Sequence, residues 1–337
     1  MRSNCWAFAP GSITSGGCCM AAPRPSACSR WPGWGPTRSP DRSRRKWPTA
    51  SSARRSPRPP KGPRCVGRPP TSKPIWPPKG ETMAVHIDDI KTETIEALIY
   101  GEGRPLTLAP VMTKEEREFA CRKIRQLTSR STYLWAKDLK VVGTSVGEAH
   151  ESPETERRYF DEAPATSELL AREVFPFGSP VERIVRKVAE VWPQGVVVPD
   201  KDGRAFLPHI VRRWAIGGGA NPHIDQSRTH LLGPLGIGRR IGLNVYMSMP
   251  EIGGAIEFWN RSFSDEEYVR LKRPDYGLDR ELLGPADLTL RPEEGQAVLF
   301  RAWEPHAVEP VGGSGDRITN AAFLAVGEAG RPLAQFA

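Results

Sequence analysis

Glycine and proline divide the second half of the chain into short apolar runs, and this pattern constrains the fold more than any other feature. Each run is rich in β-branched and aromatic residues and ends in turn residues, as strands do. Seven short strands favour two antiparallel sheets packed face to face. We predict strands near 208–215, 240–248, 254–259, 287–291, 296–301, 306–311 and 317–326.

The first part of the body has a different, helical periodicity between residues 83 and 195. Thr113 and Glu116 have the spacing of a capping box, and 180–192 is amphipathic with a period of a helix. The interval 141–165 is polar and irregular, so it is predicted to be an active-site loop. A second loop candidate, 260–285, lies between the third and fourth predicted strands, and Ser264 can begin a short helix within it.

The predicted fold class is therefore α+β and mainly β, with a double-stranded β-helix (a jelly roll, cupin-like) as its core. This core covers about 196–330, and the helical part 83–195 backs it, so 83–337 is expected to form a single domain. No apolar run reaches the ~20 residues of a membrane span, so no membrane association is expected.

The first 82 residues differ in composition from the rest of the chain. They hold 16 Lys and Arg against two acids, a net +14, whereas the remaining 255 residues hold 32 against 37, a net −5. They also contain 16 of the 34 Pro and five of the six Cys. With almost no Leu, Ile or Val to bury, this leader is expected to be disordered.

Several origins of the leader remain open. Pro10 and Gly11 interrupt the apolar stretch that a secretory signal requires, and the many prolines oppose the amphipathic helix of a transit peptide. A polybasic arm for nucleic acid, with tryptophans that stack on bases, is another reading. We favour out-of-frame translation of a GC-rich gene, which would place the true start at Met83. The acidic body then gives no electrostatic reason to expect nucleic-acid binding.

Two of the six histidines stand in an H-x-D triplet. His86 and Asp88 follow Met83 without a preceding strand, which indicates a solvated terminus. His223 and Asp225 follow a predicted strand and a glycine-rich turn, and residues two apart on extended backbone point the same way. His223 and Asp225 are therefore the better candidates for a shared metal ion.

A third ligand and an anion-binding residue are predicted further downstream. His306 lies on one strand, and Arg317 opens the next after a Gly-rich turn. If the two strands pair about this turn, Arg317 is offset by about three residues, or ~10 Å, from His306. This gap suits a short dicarboxylate that chelates the metal at one end and meets the planar guanidinium at the other.

Two imidazoles and one carboxylate on one side of an ion are typical of non-haem Fe(II) oxygenases. The ordered set His223, Asp225, His306 and Arg317 resembles the 2-oxoglutarate/Fe(II)-dependent dioxygenases over about 207–326. Weaker similarity, at 196–200, 253–260 and 288–295, is to small-molecule hydroxylases and carrier-independent halogenases of that superfamily. The resemblance implies Fe(II) as cofactor, 2-oxoglutarate and O2 as cosubstrates, and oxidative decarboxylation to succinate and CO2.

The resemblance also narrows the chemistry. Halogenases of this type lack the metal-binding carboxylate, so Asp225 favours hydroxylation or another C–H oxidation of a small molecule. Prolyl-hydroxylase-like members often bind the cosubstrate with Lys, where this chain has Arg317. Nucleic-acid demethylases carry an R-x-N-x-T-x-R run, from which the sequence after Arg317 departs.

Other residues are placed by strand alternation. Asn244, Tyr246 and Ser248 share one face of a predicted strand, which faces either the cosubstrate or solvent. Thr319 shares a face with Arg317 and is a further candidate for the cosubstrate carboxylate. Four arginines fit either an anionic substrate or a solvated edge: Arg212, Arg213, Arg239 and Arg240.

Two other functions remain compatible with the sequence. One is a cupin-like metal-binding protein without oxygenase activity. The other is a Zn-dependent hydrolase or isomerase, which leaves Arg317 without a role. Outside the leader, Cys121 is the single cysteine, as expected in a reducing cytoplasm.

Overall fold

Two β-sheets form the centre of the computed structural model, which describes residues 84–101, 104–128, 136, 138–225, 231–327 and 330–337. The predictions for the leader, including the start at Met83, lie outside these ranges. Within them, no helix has both the length and the apolar character needed to cross a bilayer.

Fifteen strands occur in the described residues and are numbered in chain order. They are β1 Val85–Ile87, β2 Leu106–Leu108, β3 Leu139–Val142, β4 Val196–Val197, β5 Asp200–Lys201, β6 Arg204–Ala205, β7 Ile210–Trp214, β8 Ala220–His223, β9 Arg239–Ser248, β10 Ile256–Phe258, β11 Leu288–Leu290, β12 Ala297–Arg301, β13 His306–Val308, β14 Arg317–Val326 and β15 Leu333–Phe336.

Helices of the described residues come mostly before the sheet core. They are α1 Thr92–Tyr100, α2 Lys114–Leu127, α3 Val146–Ala149, α4 Pro153–Leu169, α5 Pro180–Val191, α6 Asp265–Leu271 and α7 Arg280–Leu283. A π-helical turn at Leu170–Val174 continues α4.

The major sheet has the order β1-β2-β12-β9-β14-β15-β4, and β7 also pairs with β14 and with β3. The minor sheet has the order β11-β10-β13-β8. All seven predicted strands are present as β7 and β9 to β14, and pairing within this core is antiparallel. The predicted jelly-roll core backed by helices is confirmed.

The main core lies between the two sheets. The rings of Phe258 on β10 and Phe300 on β12 lie 5.4 Å apart between centroids, so side chains of the two sheets meet directly. On the outer face of the major sheet, Ile241, Leu243 and Val245 of β9 pack with the apolar faces of α1 and α5. Alternation along β9 as far as Tyr246 therefore separates a helix-covered face from a face that lies between the sheets.

Local capping signals place the helices that cover the major sheet. Thr113 and Glu116 form both hydrogen bonds of a capping box at the start of α2, as predicted. Glu116 also accepts two hydrogen bonds from Arg183 of α5, at 2.7 and 2.9 Å. The hydrogen bond from Arg183 is the main reason why the pKa of Glu116 lies below its ordinary value. One acid thus caps one helix and anchors another.

The prediction that 141–165 is an irregular loop is wrong. The end of β3, all of α3 and most of α4 occupy this interval. Ser145 and Ser152 each form a capping box, with Glu148 and Thr155, and Pro153 stands at the first helical position of α4. Capping and Pro at the first turn outweigh the weak apolar periodicity of this segment.

Two smaller expectations also need correction. The part 83–195 is not purely helical, because β1 and β2 extend the edge of the major sheet and β3 pairs with β7. The turn before His223 is shorter than expected, since β8 already begins at Ala220. In the interval 260–285, by contrast, Ser264 caps the short helix α6 with Glu267, as predicted.

Candidate metal centre and cosubstrate cavity

Neighbouring strands of the minor sheet bring the candidate metal ligands together. His223 at the end of β8 and His306 at the start of β13 are direct Cα partners in an antiparallel pair. Asp225 follows two residues later, and its backbone N–H donates to the carbonyl of Ala302 at 2.7 Å. One ligand atom from each of the three side chains lies within 4.8 Å of the other two.

Backbone carbonyls orient both imidazoles. Nδ1 of His223 lies 2.8 Å from the carbonyl oxygen of Asn221, and Nδ1 of His306 lies 3.0 Å from that of Glu304. Since a carbonyl oxygen only accepts hydrogen bonds, each Nδ1 donates its proton to a carbonyl. This arrangement leaves Nε2 of each ring as the nitrogen that can bind a metal ion.

Burial and neighbouring charges set the protonation of the group. Burial, with the charge of His306 as a second cause, lowers the pKa of His223 to about 4. For Asp225, burial raises the pKa, but the hydrogen bond and charge of His306 outweigh it and hold the pKa well below its ordinary value. At neutral pH, His223 is therefore neutral and Asp225 is ionised, as metal ligands must be.

The donor set fits Fe(II). His223, Asp225 and His306 offer two imidazole nitrogens and one carboxylate oxygen, and all three line the same cavity. This arrangement leaves the remaining coordination positions free for other ligands. Three protein ligands are fewer than the four of a structural zinc site.

An inner cavity of about 100 Å³ extends from these ligands to Arg317. Its wall includes all three candidate ligands together with polar and aromatic groups of the major sheet. Besides the ligands, the wall includes Arg212, Gly242, Asn244, Phe300, Arg317 and Thr319.

Arg317 is a buried cation at one end of the inner cavity. It is only 2% exposed, and its Nε donates to the carbonyl of Gly254 at 3.0 Å. Its Nη2 lies 3.3 Å from the hydroxyl of Tyr246, and its Cζ lies 4.9 Å from the centre of that ring. Among the described residues, no acidic side chain pairs with it, and burial lowers its pKa. A buried, protonated guanidinium without an acid requires an anionic ligand.

Thr319 supplies a second unsatisfied group in the same cavity. It is 1% exposed, and its Oγ1 has no hydrogen-bond partner in the described part of the chain. Since buried polar atoms are nearly always paired, this hydroxyl is available for a ligand. Together with Arg317, it fits one carboxylate of 2-oxoglutarate, whose other end would lie toward the metal ligands.

An outer cavity of about 300 Å³ shares Arg212, His223 and Asp225 with the inner one. The segment 145–151 forms one part of its wall, and residues of 268–277 form another. These segments fall within the two intervals predicted to cover the substrate, although the first is helical rather than a loop.

The segment that carries these site residues matches a known protein family. Residues 209–325, which include the ligand strands β8 and β13 of the minor sheet and Arg317, match the family model described as the 2OG-Fe(II) oxygenase superfamily. This part of the chain belongs to that superfamily. It is an Fe(II)- and 2-oxoglutarate-dependent dioxygenase domain, and its cosubstrates are 2-oxoglutarate and O2. No curated protein sequence matches the chain.

Solved structures similar to the oxygenase domain include two from bacteria with 2-oxoglutarate bound. An N-substituted L-amino acid dioxygenase from Burkholderia ambifaria AMMD is 18% identical with a TM-score of 0.49, over 73% of this chain and 90% of that one. HygX from Streptomyces hygroscopicus, with nickel and 2-oxoglutarate, is 15% identical with a TM-score of 0.37, over 72% and 89%. A prolyl-4-hydroxylase from Pseudomonas putida is 12% identical with a TM-score of 0.34, over 70% and 98%.

The structure brings most of the predicted site residues of the oxygenase domain together. Asn244 lines the inner cavity. The hydroxyl of the buried Tyr246 contacts Arg317, and burial raises the pKa of this tyrosine. Ser248, on the same predicted face, instead hydrogen-bonds Asp316. The strand β9 changes its register relative to β14 between Tyr246 and Ser248, which explains this departure.

The four arginines left open by the sequence divide by strand alternation. Arg212 and Arg240 line the outer cavity. Arg213, next to Arg212, instead donates to Asp316 at 2.7 Å, and the exposed Arg239 lies over the Trp303 ring. Because side chains alternate along β7 and β9, neighbouring arginines point to opposite faces of the sheet. Only the structure shows which of these faces lines the cavity.

Phe300 and Gly242 were not singled out by the sequence. The Phe300 ring lies 4.9 Å from the His306 ring, between centroids, and it passes over Gly242 on the neighbouring strand. A Cβ at residue 242 would lie only 2.4 Å from Cζ of Phe300. Because residue 242 is glycine, the Phe300 ring can pack between it and His306. No local sequence pattern predicts this contact.

Proposed function

We propose that the protein hydroxylates, or otherwise oxidises, a C–H bond of a small molecule. The reaction is coupled to decarboxylation of 2-oxoglutarate to succinate and CO2. His223, Asp225 and His306 hold Fe(II), which supplies the oxidising chemistry when it is bound with 2-oxoglutarate and O2.

The residues of the inner cavity bind and orient the cosubstrate. Arg317 pairs with the far carboxylate of 2-oxoglutarate, Thr319 donates its hydroxyl to the same group, and Tyr246 supports the guanidinium from beneath. Asn244 lines the wall between Arg317 and the metal ligands. The backbone carbonyls of Asn221 and Glu304 keep both imidazoles oriented toward the metal.

The observation that carries this proposal is that the buried Arg317 lines one cavity with the three candidate ligands and pairs with no acidic side chain of the described residues. A cupin-like protein without oxygenase activity would carry the cost of this buried charge without a ligand. A Zn-dependent hydrolase or isomerase likewise gives Arg317 no role. Both alternatives that the sequence allowed therefore leave the buried cation Arg317 unexplained.

Two observations support the finer parts of the proposal. The outer cavity of about 300 Å³ has the size of a small-molecule site. Cys121 is a buried free thiol, which supports a reducing cytoplasm as its location.

The test is release of succinate from 2-oxoglutarate in the presence of Fe(II), O2 and a reductant, with a panel of candidate substrates. We expect succinate only with Fe(II), and faster release with a true substrate. Arg317→Ala should raise the Kd of 2-oxoglutarate by about 10- to 100-fold, because a charge-assisted bidentate contact is lost. Its metal content should stay equal to that of the wild type.

Arg186→Ala is the matched control, since Arg186 is exposed on α5 away from the cavity. It should leave both metal content and the Kd of 2-oxoglutarate unchanged. Loss of metal together with 2-oxoglutarate in Arg317→Ala would contradict the role assigned to Arg317. Turnover with Zn(II) that ignores 2-oxoglutarate would favour the hydrolase or isomerase instead.

A further inference from the structure

Arg212 of β7 lies in the wall of the inner cavity and has no role in the cosubstrate site described above. Its Cα partner on β14 is Thr319, and the next pair on the same face joins Trp214 to Arg317. Paired residues of antiparallel strands point to the same face of a sheet, and this face recurs at every second residue. Arg212 therefore shares the cavity face with Thr319 and Arg317, and all three line the inner cavity.

The guanidinium of Arg212 has no partner in the described part of the chain. It makes no hydrogen bond and no ion pair there, and the residue is only partly buried. Its neighbour Arg213 differs, because it donates to Asp316 at 2.7 Å. Arg240, the other arginine in the wall of the outer cavity, already has a partner. Arg212 thus keeps its planar set of donors available for a ligand.

Arg212 lies on the metal side of Arg317. Of the two cavities, Arg317 lines only the inner one, whereas Arg212 also lines the outer one together with His223 and Asp225. Burial is the main cause that lowers the pKa of both His223 and Arg317, and the positive charge of Arg212 is a lesser cause in each case. The Arg212 guanidinium is therefore close enough to act on both ends of the inner cavity.

Strand register gives the same order along the cavity. Phe323 of β14 is the Cα partner of Gly242, which lies beneath the ring that packs against a candidate metal ligand. Thr319, the partner of Arg212, is four residues from Phe323, whereas Arg317 is six residues away. Arg212 is thus two residues, or ~7 Å, nearer than Arg317 to the level of the metal ligands.

The charges of the inner cavity suit a ligand with two carboxylates. Apart from the histidines, the charged side chains of its wall are Arg212, Arg317 and Asp225. Asp225 binds the metal in the proposed function, which leaves two guanidinium groups for the cosubstrate. 2-Oxoglutarate carries a carboxylate at each end, and a planar guanidinium can bind one carboxylate through two parallel hydrogen bonds.

We infer that Arg212 binds the carboxylate of 2-oxoglutarate that lies nearer the metal, which is the carboxylate lost as CO2. Arg317 and Thr319 keep the far carboxylate, so each end of the cosubstrate meets its own guanidinium. This inference rests on the proposed function, because it requires 2-oxoglutarate in the inner cavity. It makes Arg212 a residue that selects for the 2-oxo acid end, separately from the selection for a second carboxylate by Arg317.

Two ligands that each lack one carboxylate separate the two ends of the cosubstrate. In 2-oxopentanoate a methyl group replaces the far carboxylate, and in 4-oxopentanoate a methyl group replaces the carboxylate next to the ketone. Binding of 2-oxoglutarate and of both ligands is measured on the Fe(II)-loaded full chain without O2. Calorimetric titration gives each Kd, either directly or in competition with 2-oxoglutarate. In the wild type, each ligand should bind at least about 10-fold more weakly than 2-oxoglutarate.

Variants then assign each carboxylate to one arginine. Arg212→Gln should raise the Kd of 2-oxoglutarate and of 2-oxopentanoate by about 10- to 100-fold, because both lose a charge-assisted contact. It should leave the Kd of 4-oxopentanoate within about twofold of the wild-type value, since this ligand has no carboxylate at that end. Arg317→Ala should give the reverse pattern, with 4-oxopentanoate weakened and 2-oxopentanoate unchanged. Metal content should equal that of the wild type in both variants.

Arg186→Gln is the matched control, because Arg186 is exposed on α5 and lines neither cavity. It should change none of the three Kd values. If Arg212→Gln does not fold, Arg212→Met decides by the same three values, since methionine keeps an unbranched aliphatic chain without the charge.

The outcomes separate this inference from the proposed function. Equal Kd of 2-oxopentanoate in the wild type and Arg212→Gln, with 2-oxoglutarate still bound, would overturn the inference and leave the proposed function standing. A rise confined to 2-oxoglutarate and 4-oxopentanoate would assign Arg212 to the far carboxylate and overturn the inference as well. An equal rise for all three ligands would indicate a change in cavity shape and would also overturn it. Failure of the wild type to bind 2-oxoglutarate would instead overturn the proposed function.

Discussion

At the scale of single residues, Thr319 carries a buried hydroxyl that has no hydrogen-bond partner among the residues described by the structure. Such a group costs about 1–3 kcal/mol of stability when it has no partner. A ligand that accepts its hydrogen bond recovers this loss. A substitution of Thr319 should therefore affect the stability of the ligand-free protein and the affinity for the ligand differently.

We predict that Thr319→Val does not lower the Tm of the ligand-free protein, because the nearly equal volume is kept and an unpaired hydroxyl is removed. The Kd of 2-oxoglutarate should rise by about 5- to 10-fold. Thr107→Val is the control: Thr107 is also buried on a strand, but its Oγ1 lies 3.2 Å from Nδ1 of His86. It should leave the affinity unchanged. An unaltered Kd in Thr319→Val would remove Thr319 from the cosubstrate site.

The second prediction at this scale concerns pH. Since the pKa of His223 is lowered from 6.5 to about 4, the unfolded chain binds more protons than the folded chain between these values. The stabilisation is therefore complete above pH ~6.5 and is lost as the pH falls toward ~4. The depressed pKa of Asp225 adds a further loss at lower pH.

For the metal-free protein we expect the free energy of unfolding to fall by at most about 3 kcal/mol between pH 6.5 and 4 on account of His223. Urea unfolding at a series of pH values measures this. His223→Gln removes the titrating group, so its unfolding curve should be flatter in this window. An equal slope in wild type and variant would show that other groups cause the pH dependence.

At the scale of elements, β9 joins the helix-covered face of the major sheet to the catalytic cavity. Gly242 is the position on β9 where a side chain is excluded, because Phe300 of β12 occupies that space. The same ring contacts His306, so the packing of two strands in the major sheet positions a candidate ligand of the minor sheet.

We predict that Gly242→Ala disturbs the metal site although alanine is no worse than glycine in most strands. The added Cβ would force the Phe300 ring toward His306, with a loss of stability of about 1–3 kcal/mol and weaker Fe(II) binding. Metal titration and thermal unfolding measure the two effects. The double variant Gly242→Ala with Phe300→Leu should recover metal affinity. No recovery would indicate that the glycine acts through its backbone alone.

At the scale of the whole molecule, the charge of the chain divides into a leader of net +14 and a body of net −5. All site residues and both sheets fall within the body. Strand β1 pairs with β2, and β2 pairs with β12, so this edge of the major sheet is built from residues after 84.

We predict that a chain starting at Met83 folds with the same Tm as the full chain and has the same rate of succinate release. It should also lose affinity for polyanions such as heparin, since the basic excess lies in the leader. Differential scanning calorimetry, the succinate assay and a heparin column measure these properties. A lower Tm or rate in the shortened chain would assign the leader a structural or catalytic part.

The sequence by itself determined the features that depend on near neighbours. Strand alternation, the capping box of Thr113 and Glu116, and the order of His223, Asp225, His306 and Arg317 are all local or ordered signals. They were sufficient to predict the seven core strands, the jelly roll and the candidate ligands. The helical nature of 141–165 was also encoded locally, by capping at Ser145 and Ser152, but its weak periodicity concealed it.

Only the tertiary structure decided which distant groups share a space. The pairing of His223 with His306 and the packing of Phe300 over Gly242 depend on register between strands far apart in sequence. So does the environment of Arg317, in which none of the described acidic side chains pairs with it. The same holds for Arg212 and Arg240, which the sequence left between a solvated edge and an anion site. Burial is a property of the packed sheets, so the chemistry that it imposes on these residues arises only when both sheets close around them.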